Sequence, residues 1–307
     1  MIRLSYGTAV KLGLKMGKMM AEPTTAYIML GERCYSNCSF CAQARSRRKE
    51  NFLSRIMWLP YPKEVLKKIK GFSRICFQTL DYPEVIEDLL SLIPLLPSNI
   101  PISVSIVPIS EGDMELLRDK IDIISFALDA ANKELFDEVK GYKVGNRFTW
   151  EGIWSALKIA RGIFREVNTH IIVGLGESDE DLYSVMKDLR DLRISTALFS
   201  YTPIFGGEYP PVERYRAIQL TRYLLYRGYD DFLVIEDGKI KEITIPKRER
   251  QNVERGIPFL TSGCPGCNRP FYNERPGGNI YNYPYIPREN ERKLIFQQLK
   301  SYLRKLN

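Results

Sequence analysis

From residue 24 onward, short β-branched runs alternate with longer amphipathic stretches, and within the short runs apolar and small polar residues take turns. In Arg74-Ile75-Cys76-Phe77-Gln78 the apolar Ile75 and Phe77 point one way, so Cys76 and Gln78 point the other. Ser103 and Ser105 share a face of their run, as do Ser125 and Asp129, and Ser200 and Thr202. The runs predict strands at Thr25–Leu30, Arg74–Gln78, Pro101–Val107, Ile121–Leu128, Thr169–Gly174 and Thr196–Thr202. Helices are expected at Tyr61–Gly71, Pro83–Leu92, Asp113–Lys120, Thr149–Val167 and Glu180–Leu192, with Ser178 placed to cap the last. Six β-α repeats imply a parallel sheet, either open and doubly wound or curved into a barrel. A doubly wound sheet is apolar on both faces. Here one face carries small polar groups, so the expected fold is α/β, a partial (βα)6 TIM-type barrel with a polar lumen and its active site at the C-terminal strand ends.

That barrel is assigned to residues 24–209, after an N-terminal helical extension at 1–23. Residues 210–307 form a loop-rich C-terminal appendage: a helix at Arg214–Gly228, a hairpin at Phe232–Ile245 turning at Asp237-Gly238, and an apolar stripe of Ile295, Leu299, Tyr302, Leu303 and Leu306. A composition of 44% hydrophobic and 27% charged residues suits a globular chain and excludes disordered, collagen-like and coiled-coil classes. No stretch nears the roughly 20 apolar residues that span a bilayer. Lys11, Lys15 and Lys18 interrupt Met1–Met20, so a cytoplasmic protein is expected, with no membrane partner. The net charge of +8 favours an acidic partner and falls short of a dedicated nucleic-acid binder.

Six cysteines stand at 34, 38, 41, 76, 264 and 267. A disulfide framework suits short secreted chains, whereas this one is long enough to fold without staples, so metal binding is the better reading. Cys34, Cys38 and Cys41 follow the first expected strand with three and two residues between them. Three thiolates on one loop hold three irons of a [4Fe–4S] cluster and leave the fourth iron open. Tetrahedral zinc would want a fourth Cys or His, and none lies nearby in sequence. The single histidine, His170, rules out a His pair, and in a strand interior it is expected to be a packed group.

The C-x3-C-x2-C spacing, with Phe40 before the third cysteine and the motif at the end of strand one, resembles the radical S-adenosylmethionine (SAM) enzymes. The resemblance implies that the open iron binds SAM and that reductive cleavage gives a 5′-deoxyadenosyl radical, which abstracts hydrogen from an unactivated carbon. His170-Ile-Ile172-Val-Gly174-Leu-Gly-Glu177 is similar to the family's adenine-binding G-x-I-x-G-x-x-E, with His170 replacing the first glycine. The glycine pair that takes the methionine amino group is absent, and Gln78, Thr79 or Asp81 stands there instead. Phe40, Gln78, Thr79, Ser103, Ser105, Asp129, Gly174 and Glu177 are therefore the expected SAM contacts.

Cys264 and Cys267 lie in Gly-Cys-Pro-Gly-Cys-Asn-Arg-Pro-Phe-Tyr-Asn-Glu-Arg-Pro-Gly-Gly, and Cys76 is the one spare thiol aimed into the lumen. A second, auxiliary [4Fe–4S] cluster held by these three resembles the sulfur-inserting branch of the family, biotin synthase and lipoyl synthase. The C-terminal run is most similar to the two-component lipoyl synthases of archaea. The N-terminal three-cysteine motif of ordinary lipoyl synthase is missing, which leaves Ser262, Arg269 and Arg275 as candidates for a fourth ligand. The resemblance implies sulfur insertion into an octanoyl chain on the lysine of an acidic carrier protein, recruited by the basic run Arg45-Ser-Arg-Arg-Lys49. It also implies a sister radical SAM subunit and a low-potential electron donor. Alternatives are sulfur insertion into a small free substrate, as in biotin synthase, or modification of RNA or peptide, although no RNA-binding module is recognisable.

Overall fold

A computed structural model describes residues 1–47 and 51–304. Its strands are β1 (Ile2–Ser5), β2 (Thr25–Leu30), β3 (Phe52–Leu53), β4 (Ile56–Tyr61), β5 (Arg74–Thr79), β6 (Ile102–Ile106), β7 (Ile123–Phe126), β8 (Glu166–Val173), β9 (Ser195–Ser200), β10 (Leu233–Glu236) and β11 (Lys239–Ile243). Helices are α1 (Tyr6–Lys11), α2 (Val85–Leu92), α3 (Glu111–Leu117), α4 (Lys133–Val139), α5 (Trp150–Ile163), α6 (Asp179–Asp191), α7 (Val212–Tyr226), α8 (Arg250–Glu254) and α9 (Glu289–Leu299). The large sheet runs β3-β4-β1-β2-β5-β6-β7-β8-β9. From β2 to β9 its six strands are parallel, as in a (βα)6 half-barrel.

The alternation sets the two faces. Ile75, Phe77 and Val104 are fully buried in the large apolar core that also takes the inner stripes of the helices, such as Ile153, Ala156, Leu157 and Ala160 of α5. Cys76 belongs instead to a separate inner cluster with Tyr27, Met29, Trp58 and Leu80. Ser178 and Asp181 close the expected N-terminal cap of α6 as a reciprocal capping box.

Two expectations are corrected. The N-terminal segment is not purely helical: Ile2–Ser5 is a fully buried strand, and only Tyr6–Lys11 coils. The strand pairs antiparallel to β2 on one side and β4 on the other, so its neighbours satisfy its backbone. Tyr61–Gly71 holds only a six-residue 3-10 helix, Lys63–Lys68, because Pro60 and Pro62 keep the preceding chain extended.

The C-terminal hairpin forms as expected at β10–β11. Tyr215, Leu224, Leu225, Phe232, Ile243 and Leu299 join the same apolar core as the barrel. Beneath the 273–283 loop lies a polar scaffold. The fully buried Arg216 donates to Gln298 (3.1 Å), Gln219 (2.6 Å) and the Tyr281 carbonyl (2.7 Å), while the buried Glu274 carboxylate accepts backbone N–H bonds from Tyr281 and Asn282, each at 3.0 Å. Among the described residues no helix is long and apolar enough to cross a membrane.

Candidate functional site

Cys34, Cys38 and Cys41 leave the C-terminal end of β2 on a loop docked against its surroundings at many points. Tyr35 N–H donates to the Asp81 carbonyl (2.8 Å), Ser36 Oγ to Asp81 Oδ2 (2.5 Å), Ser39 N–H to the Val139 carbonyl (2.8 Å), and Asn37 N–H to Asn146 Oδ1 (2.6 Å). Asp81, one of three candidates for the methionine amino group, gives its other oxygen to Arg147 at 2.7 Å, so it anchors the cysteine loop. Asn146 Nδ2 donates to Cys38 Sγ (3.6 Å) and the Gln43 N–H to Cys41 Sγ (3.4 Å). Burial pushes Cys41 up to about 12 and raises Cys34 and Cys38 as well, so without a metal these are thiols.

Lys140, which sequence reasoning passed over, opposes that effect. It is buried, bonds Asp129 at 2.7 Å, and its charge lowers the Cys38 and Cys41 values. Burial pulls its ammonium down, but Asp129, Cys38 and Cys41 outweigh that and leave it raised. Asp129 is held at φ 64° because its backbone bridges to β8, donating to the His170 carbonyl (2.7 Å) and accepting from Ile172 N–H (2.8 Å).

A cavity of about 170 Å³ opens beside Cys41, lined by Phe40, Gln78, Asp129, His170, Phe199 and Ser200 among others. Ser200 Oγ is buried without a partner, which suits a polar ligand. His170 packs 5.1 Å from Phe199 and contacts Ser125 Oγ at 3.3 Å, and burial lowers its pKa to about 4. Of the other expected SAM contacts, Ser105 sits opposite Gln78 and Ser125 in the sheet register. Thr79 Oγ1 donates to the Ser105 carbonyl (3.2 Å) and Ser103 Oγ to the Ile75 carbonyl (3.2 Å). Glu177 is fully engaged: its carboxylate accepts N–H bonds from Gly174 (2.8 Å), Leu175 (2.9 Å) and Gly176 (3.1 Å) and pairs with Arg214 at 3.0 Å. It shapes the turn after β8, with Gly174 at φ 104° against Pro210, and holds that backbone in place.

Toward the N-terminal end of the sheet lies the second cysteine set. Cys76 pairs with Tyr27 and Ser103 in register, inside the lumen as the alternation requires. Thr24 Oγ1 donates to the Gly266 carbonyl (2.5 Å), Arg74 Nε to the Pro265 carbonyl (3.3 Å), and Asn268 Oδ1 accepts from Thr24 N–H (2.9 Å), strapping the Cys264–Cys267 turn across the starts of β2 and β5. Gly263 sits at φ 114° where a Cβ would come within 2.8 Å of Ala197 Cβ, so only glycine lets the loop approach. Burial, then the neighbouring Cys76 and Cys267, raises Cys264 to about 12. Gln78 Nε2 donates to Cys76 Sγ at 3.1 Å, and Tyr27 Oη lies 3.1 Å from Cys267 Sγ.

The three candidates for a fourth ligand are placed differently. Ser262 Oγ accepts from Leu198 N–H (2.9 Å); Arg269 stacks 3.9 Å over Phe199 and donates to the Ser262 carbonyl (2.8 Å); Arg275 is exposed and lines a different cavity. Arg45 and Arg47 of the basic run are exposed, while Arg48 and Lys49 lie outside the described residues.

Among the described residues no three Cys, His, Asp or Glu side chains converge tightly enough for a single metal ion. An iron–sulfur cluster makes a different demand, since each thiolate takes a separate iron corner. The first set fits such a group in donor chemistry: free thiols on one loop, two of them receiving N–H···S bonds, with a buried cation beside them. Around the second set, Arg74 Nη1 and both amide atoms of Asn168 are buried without partners, leaving polar capacity for a bound group.

The sequence profile of the Radical SAM superfamily matches residues 28–189, just over half the chain. Mitochondrial lipoyl synthase of Saccharomyces cerevisiae is 24% identical over 197 residues, covering 60% of this chain and 45% of that protein. The molybdenum cofactor biosynthesis protein moc-5 of Caenorhabditis elegans is 22% identical over 204 residues, covering 62% and 32%. The chain thus spans about a third to a half of these relatives. Among solved structures, the FeFe-hydrogenase maturase HydG from Carboxydothermus hydrogenoformans superposes with a TM-score of 0.53 at 19% identity, over 75% of this chain and 55% of that one. Methylornithine synthase gives 0.50 at 16%, over 66% and 62%. At these identities the structures share the fold.

Proposed function

The chain belongs to the radical SAM superfamily, and from that premise we propose that it is the sulfur-inserting kind, carrying out one thiolation step of lipoyl formation on an octanoylated carrier protein. Membership implies a [4Fe–4S] cluster and SAM. When bound, these supply a hydrogen-abstracting radical, and an auxiliary cluster supplies sulfide. In this reading Cys34, Cys38 and Cys41 hold the first cluster. Cys76, Cys264 and Cys267 hold the second, with Tyr27 and Gln78 contacting its sulfurs. Asp129, Ser200 and the backbone after Gly174 bind SAM, and Lys140 stabilises charge at the first cysteine loop.

The observation that carries the reading is the opposition of the two cysteine sets: one at the C-terminal end of β2, the other reaching the lumen from the N-terminal ends of β2 and β5. A substrate between them would meet both. The resemblance to lipoyl synthase supports the acyl substrate. The positive charge and exposed Arg45 and Arg47 support an acidic carrier. A sister subunit and a low-potential donor belong to the same proposal. The test is mass spectrometry of an octanoyl-lysyl peptide after anaerobic incubation with SAM, reductant and reconstituted protein. A mass gain of sulfur is expected; 5′-deoxyadenosine without thiolation, in the presence of any sister subunit, would refute it, and thiolation of dethiobiotin instead would favour the small-substrate alternative.

A further inference from the structure

The second cysteine set supplies three thiolates, whereas a four-iron cluster has four metal corners. The residues considered from the sequence for the last corner are spent elsewhere: Ser262 Oγ accepts from Leu198 N–H, Arg269 lies over Phe199 and donates to the Ser262 carbonyl, and Arg275 lines a separate cavity. We infer that Asn168 completes the set, its side-chain oxygen ligating the fourth iron while its amide N–H and Arg74 Nη1 donate to the cluster's sulfurs. The inference rests on the auxiliary cluster proposed above and adds to it a residue that the cysteine spacing does not mark.

Three observations single out this amide. First, Asn168 is 2% exposed and, among the described residues, neither atom of its amide has a hydrogen-bond partner. Buried side-chain amides are ordinarily paired, because each unmet donor or acceptor carries its full desolvation penalty. Turning the amide over would not help, since both ends are unmet. Second, the amide stands at the cysteine set. Asn168 lies near the N-terminal end of β8, two residues before His170, so it shares the lumen face with that ring. Gly263, immediately before Cys264, presses against it: a Cβ there would stand 3.3 Å from Asn168 Nδ2. Arg74, likewise buried with Nη1 unmet, holds the same loop from β5, its Nε donating to the Pro265 carbonyl at 3.3 Å.

Third, the chemistry of the unmet atoms matches the cluster one for one. Thiolates and sulfides accept hydrogen bonds and give none, so they satisfy the Asn168 and Arg74 donors. They cannot satisfy an amide oxygen. Only a cation or a further donor does so, and the cluster presents one iron without a thiolate. A neutral oxygen is also a harder ligand than a thiolate, so this corner is the most readily vacated of the four.

Chelator-driven iron release from the reconstituted full chain, with electron–nuclear double resonance of its reduced clusters, tests the inference. Asn168→Leu keeps a similar volume but offers no oxygen, and should release the second cluster's iron at least about tenfold faster than wild type. Asn168→Asp restores an oxygen and should release it no faster than wild type. Protein made by cell-free synthesis with asparagine labelled at its side-chain carbonyl carbon should show a hyperfine coupling to that carbon. Labelled Asn168→Asp, whose aspartate carries no label, should lose the coupling. Circular dichroism and the thermal midpoint report whether each variant is folded. Wild-type release from folded Asn168→Leu, no coupling in labelled wild type, or the same coupling in Asn168→Asp overturns the inference; should Asn168→Leu fail to fold, the coupling decides alone. Any of these results with about eight irons in wild type refutes Asn168 and leaves the auxiliary cluster standing, whereas about four irons, unchanged by loss of Cys264 and Cys267, refutes the cluster and Asn168 with it.

Discussion

Tyr27 Oη stands 3.1 Å from Cys267 Sγ and accepts the backbone N–H of Arg269 at 3.0 Å. With its oxygen occupied from that side, the phenolic hydrogen is free to point at the sulfur. Burial and the adjacent Cys267 hold the phenol well above its ordinary pKa, so it stays a donor. A strand residue next to the lumen thereby contacts a cysteine 240 positions away in sequence.

If the proposed second cluster is present, Tyr27→Phe should keep it but lower its reduction potential. One lost hydrogen bond to a ligating sulfur corresponds to roughly 20–60 mV for a one-electron couple. Anaerobic potentiometry followed by electron paramagnetic resonance checks this, and an unchanged potential would remove Tyr27 from the site.

The Lys140–Asp129 pair is buried on both sides at 2.7 Å. Lys140→Met leaves Asp129 charged and uncompensated, which should destabilise the chain by about 3–5 kcal/mol. Adding Asp129→Asn should recover part of the loss. Urea denaturation of both variants against wild type measures it, and additive effects in the double variant would contradict direct pairing.

His170 predicts a pH dependence. Burial lowers its pKa to about 4 from about 6.5, so the folded chain resists a proton that the unfolded chain accepts. Above about pH 6.5 both states are neutral and the residue contributes no pH dependence. As pH falls from about 6.5 toward about 4 stability declines, by up to about 3 kcal/mol. Thermal midpoints at pH 7.5 and 5.0 should diverge less in His170→Gln than in wild type; equal divergence would show that other groups carry the effect.

Gly263→Ala should destabilise by about 1–3 kcal/mol, because it combines a positive φ with a Cβ approach of 2.8 Å to Ala197. The strain falls on the loop carrying Cys264, so iron retention against a chelator should drop along with the thermal midpoint. Unchanged retention would mean that the loop relaxes without moving its cysteines.

Which features the sequence disclosed depended on whether the signal was local. The Cys76 face followed from its neighbours Ile75 and Phe77, because a one-residue slip would drive both into the polar lumen. The Ser178 cap and the Asp237-Gly238 turn were equally local. The antiparallel flank β3-β4-β1 was hidden: Ile2–Ser5 is only four residues, and β4 contains Pro60, so each becomes a strand through its partners. Lys140 was invisible for a different reason. One lysine among 45 basic residues shows nothing in sequence of the carboxylate and thiols that the fold places around it. Glu177 matched a family pattern in type, but only the structure reveals a carboxylate occupied by its own turn.

Separate clusters with separate tasks on the two cysteine sets are tested by anaerobic iron and sulfide counting paired with 5′-deoxyadenosine formation. Wild type should carry about eight irons, Cys264→Ala/Cys267→Ala and Cys76→Ala about four each with 5′-deoxyadenosine still formed, and Cys34→Ala/Cys38→Ala/Cys41→Ala about four with none formed. About four irons in wild type, unchanged by loss of Cys264 and Cys267, would contradict that separation.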